Sequence, residues 1–212
     1  MDIRAIMEKL REKRPAFHSE ADFQFALAWE IQLMYPDASI RLEYPPVNDP
    51  NKYIDIIVWI GNEVYPVELK HLTKLMTATV ASELFFLKNH GAQDLGCYDC
   101  IKDICRLESF SQNIKGFRKA YAIWLTNDLY YLRPPTNPYV GYYQFSIHEG
   151  AVKKGSMSWG NNVGKGTTRG REQPWTLMHS YTINWHDYSK ILVDNGIFKY
   201  AVIEVPCVDN DF

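Results

Sequence analysis

The spacing of hydrophobic residues predicts three helices. Apolar residues three and four positions apart, as on one face of a helix, run through residues 1–13, 19–34 and 94–112. Ser19 is a suitable N-cap for the second helix, because a serine side chain can accept a hydrogen bond from the first turn. Residues 77–88 also show helical spacing, so a helix is expected there. The segment could equally form a lid over a functional site.

The longest β pattern, residues 53–70, predicts a hairpin. Two runs rich in Ile, Val, Trp and Tyr flank Gly61-Asn62, a dipeptide that suits the positive φ angles of a two-residue turn. Counting back from that turn places Asp55 opposite Glu68. Further strands are expected over residues 38–44, 117–125, 180–185 and 198–205, with a short helical turn at 188–192.

Three charged residues of this hairpin are expected on one face. Side chains alternate along a strand, so Asp55, Glu68 and Lys70 share a side of the sheet that is otherwise apolar. Two facing carboxylates repel each other and lose hydration there, and a divalent cation such as Mg²⁺ would compensate. An ordinary ion pair of Lys70 with either acid is the alternative.

These residues resemble the PD-(D/E)XK nuclease superfamily, which has the restriction-endonuclease-like fold. The match is Asp55, twelve intervening residues and then Glu68-Leu69-Lys70, with Ile54 where the family has proline. The resemblance implies a nuclease that hydrolyses phosphodiester bonds of DNA. Asp55, Glu68 and the Leu69 carbonyl would bind Mg²⁺, with Mn²⁺ as a substitute, and Lys70 would lie beside the attacking water.

The resemblance also implies a fold. It is an α/β fold with a helix, three strands, a helix and a strand, which form a mixed sheet flanked by helices. We expect one domain over residues 1–212, with this core at about 17–125. An irregular basic insertion at about 132–174 and extra strands at about 180–205 would follow.

Residues outside the hairpin are also candidates for the site. In the resembling family, the helix before the first strand often supplies an acidic residue, and Glu20 is the candidate here. A glutamate favoured by the helix dipole is the alternative. Supporting residues around the site would be Gln24, Gln93 and Tyr98, although ordinary helix surface explains the last two equally well.

Contacts with nucleic-acid phosphates are expected from basic side chains: Lys102, Lys165, Arg169 and Arg171. The loop that holds the last three contains Gly164-Lys165, but its glycine spacing does not fit a Walker nucleotide-binding loop. A solvated surface loop is the alternative interpretation of this segment.

Composition limits the remaining choices. The formal net charge is −2, so affinity for DNA must come from a local basic patch and the metal. No apolar run is long enough to cross a membrane, and the cysteine pattern favours reduced thiols in a cytoplasmic protein. Cys97-x-x-Cys100 suggests zinc, but a second pair at finger spacing is missing.

Several alternatives stay open. RNA is not excluded as a substrate, and a homodimer is one option, because many enzymes that cut both strands are dimers. A catalytically inactive module that binds nucleic acid or protein on the same fold is the second functional hypothesis. An unrelated mixed fold in which the acidic pair is coincidental is the third.

Overall fold

The computed structural model describes residues 1–46 and 53–207 of the chain. Within these residues the helices are α1 (Ile3–Lys13), α2 (Glu20–Met34), α3 (Gln93–Asn113) and α4 (Lys165–Thr168). The strands are β1 (Ser39–Tyr44), β2 (Ile54–Ile60), β3 (Glu63–Leu72), β4 (Met76–Val80), β5 (Glu83–Leu87), β6 (Lys119–Thr126), β7 (Val152–Met157), β8 (Trp175–Thr182), β9 (Trp185–Lys190) and β10 (Ile197–Pro206).

A six-stranded mixed sheet, in the order β1-β2-β3-β6-β10-β9, forms the centre of the molecule. Its neighbours are antiparallel except for β3 and β6, which are parallel. The other four described strands form two separate two-stranded sheets, the β4–β5 hairpin and the antiparallel pair β7–β8. From α2 to β6 the elements follow the order helix, three strands, helix, strand, with the β4–β5 hairpin inserted before α3.

The predicted β2–β3 hairpin is confirmed, including its register. Ile60 pairs with Glu63, and the pairing continues in step to Ile56 and Val67. Gly61 has a φ of 58°, a value that glycine adopts without steric cost. Asn62 does not share a positive φ, so the turn needs only the glycine in the left-handed region.

Apolar side chains on both faces of the sheet explain its central position. One face packs against α1 and α2, and its contributions from β2 and β3 are Ile56, Val58, Tyr65, Val67 and Leu69. The other face packs against α3 through Ile57 and Val64, together with Ala122 and Trp124 of β6. Burial of both faces accounts for the nearly continuous hydrophobic runs in the sequence.

The three predicted helices are confirmed at nearly the predicted positions. In α1 the predicted inward face is fully buried, with Ile3, Ile6, Met7 and Leu10 in the core. Helix α2 begins after Ser19, whose hydroxyl accepts a hydrogen bond from the Asp22 N–H at 3.1 Å. Helix α3 extends the predicted segment by one residue at each end.

The helical prediction for residues 77–88 is wrong, because this segment forms the β4–β5 hairpin. Ala81 and Ser82 at its turn have φ angles of 49° and 69°, which a helix does not allow. Met76 and Ala78 point into the core while Thr77 and Thr79 are exposed. This alternation of buried and exposed residues has a period of two, and β-branched threonines favour it.

The C-terminal predictions are correct in part. Strand β10 agrees with the predicted strand at 198–205 and extends the sheet. The predicted turn at 188–192 is wrong, since residues 188–190 belong to β9. The predicted strand at 180–185 is divided between β8 and β9. Strand β8 pairs with β7 in an antiparallel two-stranded sheet, and β8 packs against α3. No described helix is long and apolar enough to cross a membrane.

Candidate functional site

The predicted acidic residues lie where the pairing of β2 with β3 ends. The backbone pairing stops at Ile56 and Val67. Beyond it, the carboxylate of Asp55, and not a backbone carbonyl of β2, accepts the hydrogen bond from the next N–H of β3. Oδ2 of Asp55 accepts a hydrogen bond from the Leu69 N–H at 2.6 Å. Asp55 shares its face with Ile57, so its side chain lies on the α3 side of the sheet.

Glu68 lies on the same face and is only 1% exposed. Its Oε1 is 3.2 Å from Nη2 of Arg106, and its Oε2 accepts a hydrogen bond from Nη1 at 3.4 Å. Burial raises the pKa of Glu68 well above its ordinary value, and the negative charges of Asp103 and Asp55 add to that effect. Arg106 and Lys70 oppose the shift without cancelling it.

Lys70 is held between the sheet and α3. Its Nζ lies 2.8 Å from Oδ2 of Asp103 and donates a hydrogen bond to the Leu69 carbonyl at 2.9 Å. Burial alone would lower the pKa of the ammonium, but the charges of Asp103 and Glu20 outweigh burial and raise it. Lys70 therefore keeps its proton at any physiological pH.

Helix α2 brings two further residues to this end of the sheet. Glu20, in its first turn, accepts a hydrogen bond from the His71 N–H at 2.7 Å. Gln24, one turn later, donates to the Asp55 carbonyl at 2.6 Å and to Oε1 of Glu43 at 2.7 Å. The backbone of Glu43 has a φ of 48°, an uncommon value for a residue other than glycine.

Sequence reasoning missed Asp103 and Arg106, which α3 contributes from the facing layer. Asp103 is 2% exposed and lies three residues after Cys100 and four before Leu107, both of them buried. A carboxylate within a buried helical stripe was therefore a signal present in the sequence. Arg106 could not be paired with Glu68 without knowing how α3 lies on the sheet.

Negative charge exceeds positive charge in this cluster. Four carboxyl groups, those of Glu20, Asp55, Glu68 and Asp103, interact with the two cations of Lys70 and Arg106. When all are ionised, four negative and two positive charges leave a net charge of −2. Burial raises the pKa of Asp55 to about 6, although Lys70 and the Leu69 N–H oppose the shift.

The donor atoms suit a hard cation, but their present partners are protein cations. Asp55, Glu68 and the Leu69 carbonyl supply oxygen ligands of the kind that Mg²⁺ prefers. Neither Oε1 of Glu68 nor Oδ2 of Asp103 accepts a well-aligned hydrogen bond, although each is buried. Among the described residues, however, no three Asp, Glu, His or Cys side chains converge closely enough to form a complete metal centre.

Gln93 and Tyr98, predicted as supporting residues, contact other parts of the molecule. Gln93 donates a hydrogen bond to Oδ2 of Asp128 at 3.0 Å. The Tyr98 hydroxyl donates to the Gln173 carbonyl at 2.9 Å, and its ring stacks on Trp159 at 5.4 Å. Both residues thereby connect α3 to the segments that follow β6.

The predicted phosphate contacts are not equivalent in the structure. Arg171 forms two hydrogen bonds with the carboxylate of Asp99, at 2.9 and 2.8 Å, so it ties its loop to α3. Arg169 is exposed and Lys102 is partly exposed. The side chain of Lys165 lies outside the described part of the structure.

Cys97 and Cys100 belong to α3 and are buried in the core. Burial raises the pKa of the Cys97 thiol to about 12 and also raises that of Cys100. The pair therefore acts as part of the hydrophobic core.

Comparison of the chain with known protein families, curated proteins and solved structures finds no match. Any assignment of function therefore depends on the residues and geometry of the chain itself.

Proposed function

We propose that this protein is a Mg²⁺-dependent nuclease that hydrolyses phosphodiester bonds of DNA and has a restriction-endonuclease-like core. The observation that carries the proposal is that Asp55 and Glu68 lie on one face of the hairpin where its two strands separate. Lys70 follows on the same face of β3. The order of elements from α2 to β6 agrees with that core.

The excess of negative charge supports a role for a divalent cation. Glu68 and Asp103 are buried and Asp55 is partly buried, while Glu20 is exposed at the edge of the cluster. Burial of uncompensated charge is unfavourable. Asp55, Glu68 and the Leu69 carbonyl would hold Mg²⁺, with Glu20 at the adjoining end of β3. When bound, Mg²⁺ stabilises the negative charge that develops on the phosphoryl oxygens.

Lys70 has a different role from that of a general base. In the metal-free protein, Asp103 lies against its ammonium and raises its pKa, which favours the charged form. The ammonium can donate a hydrogen bond to a phosphoryl oxygen and stabilise the charge of the transition state. Asp103 fixes the direction of this donor, since it holds the ammonium from the α3 side.

An inactive binding module on the same fold is the second candidate. The observation that favours it is that Arg106 already neutralises Glu68, while Lys70 already donates to the Leu69 carbonyl. A protein that uses its own cations in this way needs no metal for stability. Binding of nucleic acid or a protein partner without cleavage, and without an effect of metal on the melting temperature, would favour this candidate.

The experiment that tests the proposal is a cleavage assay with duplex DNA, single-stranded DNA and RNA. We expect the wild-type protein to cut DNA with Mg²⁺ or Mn²⁺ but not with EDTA. Asp55→Asn and Lys70→Met should abolish cutting, whereas Lys119→Met, which breaks an exposed ion pair with Glu204, should retain it. A folded wild-type protein that cuts none of these substrates with either metal would overturn the proposal.

A further inference from the structure

Arg106 occupies the position of a counter-ion to Glu68. The guanidinium contacts both oxygens of that carboxylate, at 3.2 and 3.4 Å, and the carboxylate is 1% exposed. A buried carboxylate needs a positive partner, and within the described residues Arg106 makes the closest cationic contact with it. The same oxygens are those that a metal ion would use.

The contacts of Arg106 are incomplete. Its Nη2 also donates to the Tyr53 carbonyl, and its Nη1 lies 3.6 Å from Oδ1 of Asp103. Its Nε is buried and has no hydrogen-bond partner. In an ideal bidentate pair, two N–H groups of the guanidinium form two short parallel hydrogen bonds with the carboxylate, and the contacts here are longer. The guanidinium is therefore not fixed to Glu68 by optimal geometry.

We propose that Arg106 is an internal counter-ion that competes with a divalent cation for Glu68 and must withdraw from this carboxylate before the cation binds. Asp103 makes the withdrawal feasible, because it already lies beside the guanidinium and can keep it paired. The inference depends on the proposed function, since it concerns the metal of that same site.

Competition follows from charge and space. A divalent cation on Glu68 would stand next to the guanidinium, and two positive groups that share one buried carboxylate repel each other strongly. The released guanidinium keeps its charge and has five N–H donors, a geometry that matches a phosphate group. Withdrawal of Arg106 would thus prepare a phosphate contact at the moment when the metal arrives.

The test measures metal affinity without nucleic acid. Binding of Mn²⁺ is titrated by electron paramagnetic resonance, and melting temperature is measured with and without Mn²⁺, for wild type and Arg106→Met. We expect the variant to melt lower without metal, to bind Mn²⁺ about tenfold more tightly and to gain more stability from the ion. Arg106→Lys should lie between the two, which keeps the test decisive if Arg106→Met does not fold.

The matched control is Lys13→Met. Lys13 pairs with Glu30, whose side chain is 4% exposed, so this variant also leaves a buried glutamate without its cation. It should melt lower than wild type. Its affinity for Mn²⁺ should equal that of wild type, because the pair joins α1 to α2 and neither residue belongs to the proposed metal site.

The outcomes separate this inference from the proposed function. If wild type binds Mn²⁺ and cuts DNA while both Arg106 variants bind the ion equally or more weakly, the inference is overturned and the nuclease proposal stands. If neither wild type nor the variants bind Mn²⁺, both are overturned. If the Arg106 variants bind more tightly and Lys13→Met does not, the inference holds whether or not DNA is cut.

Discussion

The ammonium of Lys70 lies 2.8 Å from the carboxylate of Asp103, and this buried ion pair joins a strand of the sheet to a helix packed on it. Asp103 is 2% exposed and Lys70 is largely buried. The partner that keeps Lys70 charged therefore comes from α3 and not from the hairpin that carries the proposed metal ligands.

Asp103→Asn should impair Lys70 without removing it. In the variant, the pKa of the Lys70 ammonium would fall. Burial lowers this pKa, and the charge of Asp103, which most strongly opposes that effect, would be gone. We expect DNA cleavage to fall about 10- to 100-fold at neutral pH, as for other residues that orient a reactive group. The alkaline limit of the pH–rate profile should also move to lower pH.

The pH profile separates positioning from simple structural damage. A variant that is merely less stable would lose activity at all pH values alike. If Asp103→Asn cut DNA with the wild-type pH profile, the proposed dependence of Lys70 on Asp103 would be incorrect.

Asp55→Asn should stabilise the metal-free protein at alkaline pH. The pKa of Asp55 is about 6 in the folded protein, against an ordinary value of 3.8, so the folded state binds more protons between these values. Stability contributed by this group therefore falls as pH rises through that window. Above pH 6 the variant should gain about 1–3 kcal/mol in unfolding free energy, measured by urea denaturation with EDTA.

The control for this measurement is Asp187→Asn. Asp187 is exposed, and a hydrogen bond from Lys199 lowers its pKa, so its charge favours the folded state. This variant should show no gain at pH 8. An equal gain in both variants would mean that general charge reduction, and not the site, explains the effect.

His71→Met should make the protein more resistant to acid. Burial lowers the pKa of His71 to about 4 from its ordinary value of 6.5, so the unfolded chain takes up the proton first as pH falls. Stability contributed by His71 is therefore lost as pH falls from 6.5 towards 4, by about 3 kcal/mol in total. Urea denaturation at pH 7 and pH 4.5 should show a smaller difference in the variant than in wild type.

Asp55 and His71 have opposite effects in the same pH range. The first favours the folded state as pH falls and the second disfavours it, so each offsets part of the contribution of the other between pH 4 and 6. Each single variant should make the remaining effect visible. A flat profile in all three proteins would contradict the assigned pKa directions.

Glu108→Gln should destabilise the fold without changing the site. Glu108 is 1% exposed and accepts hydrogen bonds from the N–H groups of Met178 and His179 and from the Tyr181 hydroxyl, at 2.8 to 2.9 Å. A glutamine leaves one oxygen for these donors and places an NH₂ group beside them. We expect a loss of about 2–4 kcal/mol in unfolding free energy.

Affinity for Mn²⁺ is the measurement that shows the site is unchanged in Glu108→Gln. Replacing the exposed Glu204 by glutamine should cost less than about 1 kcal/mol, as expected for a surface ion pair. A similar loss in both variants would mean that the contacts between α3 and β8 contribute little.

The hairpin was predictable because its signals are local. A turn glycine and alternating side chains determine which residues share a face, and these placed Asp55, Glu68 and Lys70 together. The β4–β5 hairpin was not recognised, since Val80, Leu84 and Leu87 fit helical spacing by coincidence. Phe85 and Leu87 are two positions apart and both are buried in the core, as expected for a strand.

Partners from distant segments could not be predicted. Arg171 was expected to contact phosphate, yet its guanidinium is bound to Asp99 of α3. Nothing in the sequence indicates that the two segments meet. Arg106 and Glu68 likewise become neighbours only through the packing of α3 against the sheet, which is a property of the whole chain.

The parallel pairing of β3 with β6 determines when the site can mature during synthesis. The β2–β3 hairpin can close as soon as Leu72 has emerged, because its contacts are local and form quickly. Asp103 and Arg106 lie on α3, within the crossover that joins β3 to β6, so they emerge after the hairpin. Glu68 and Lys70 can therefore meet their partners on α3 only after the strands that carry them have been synthesised.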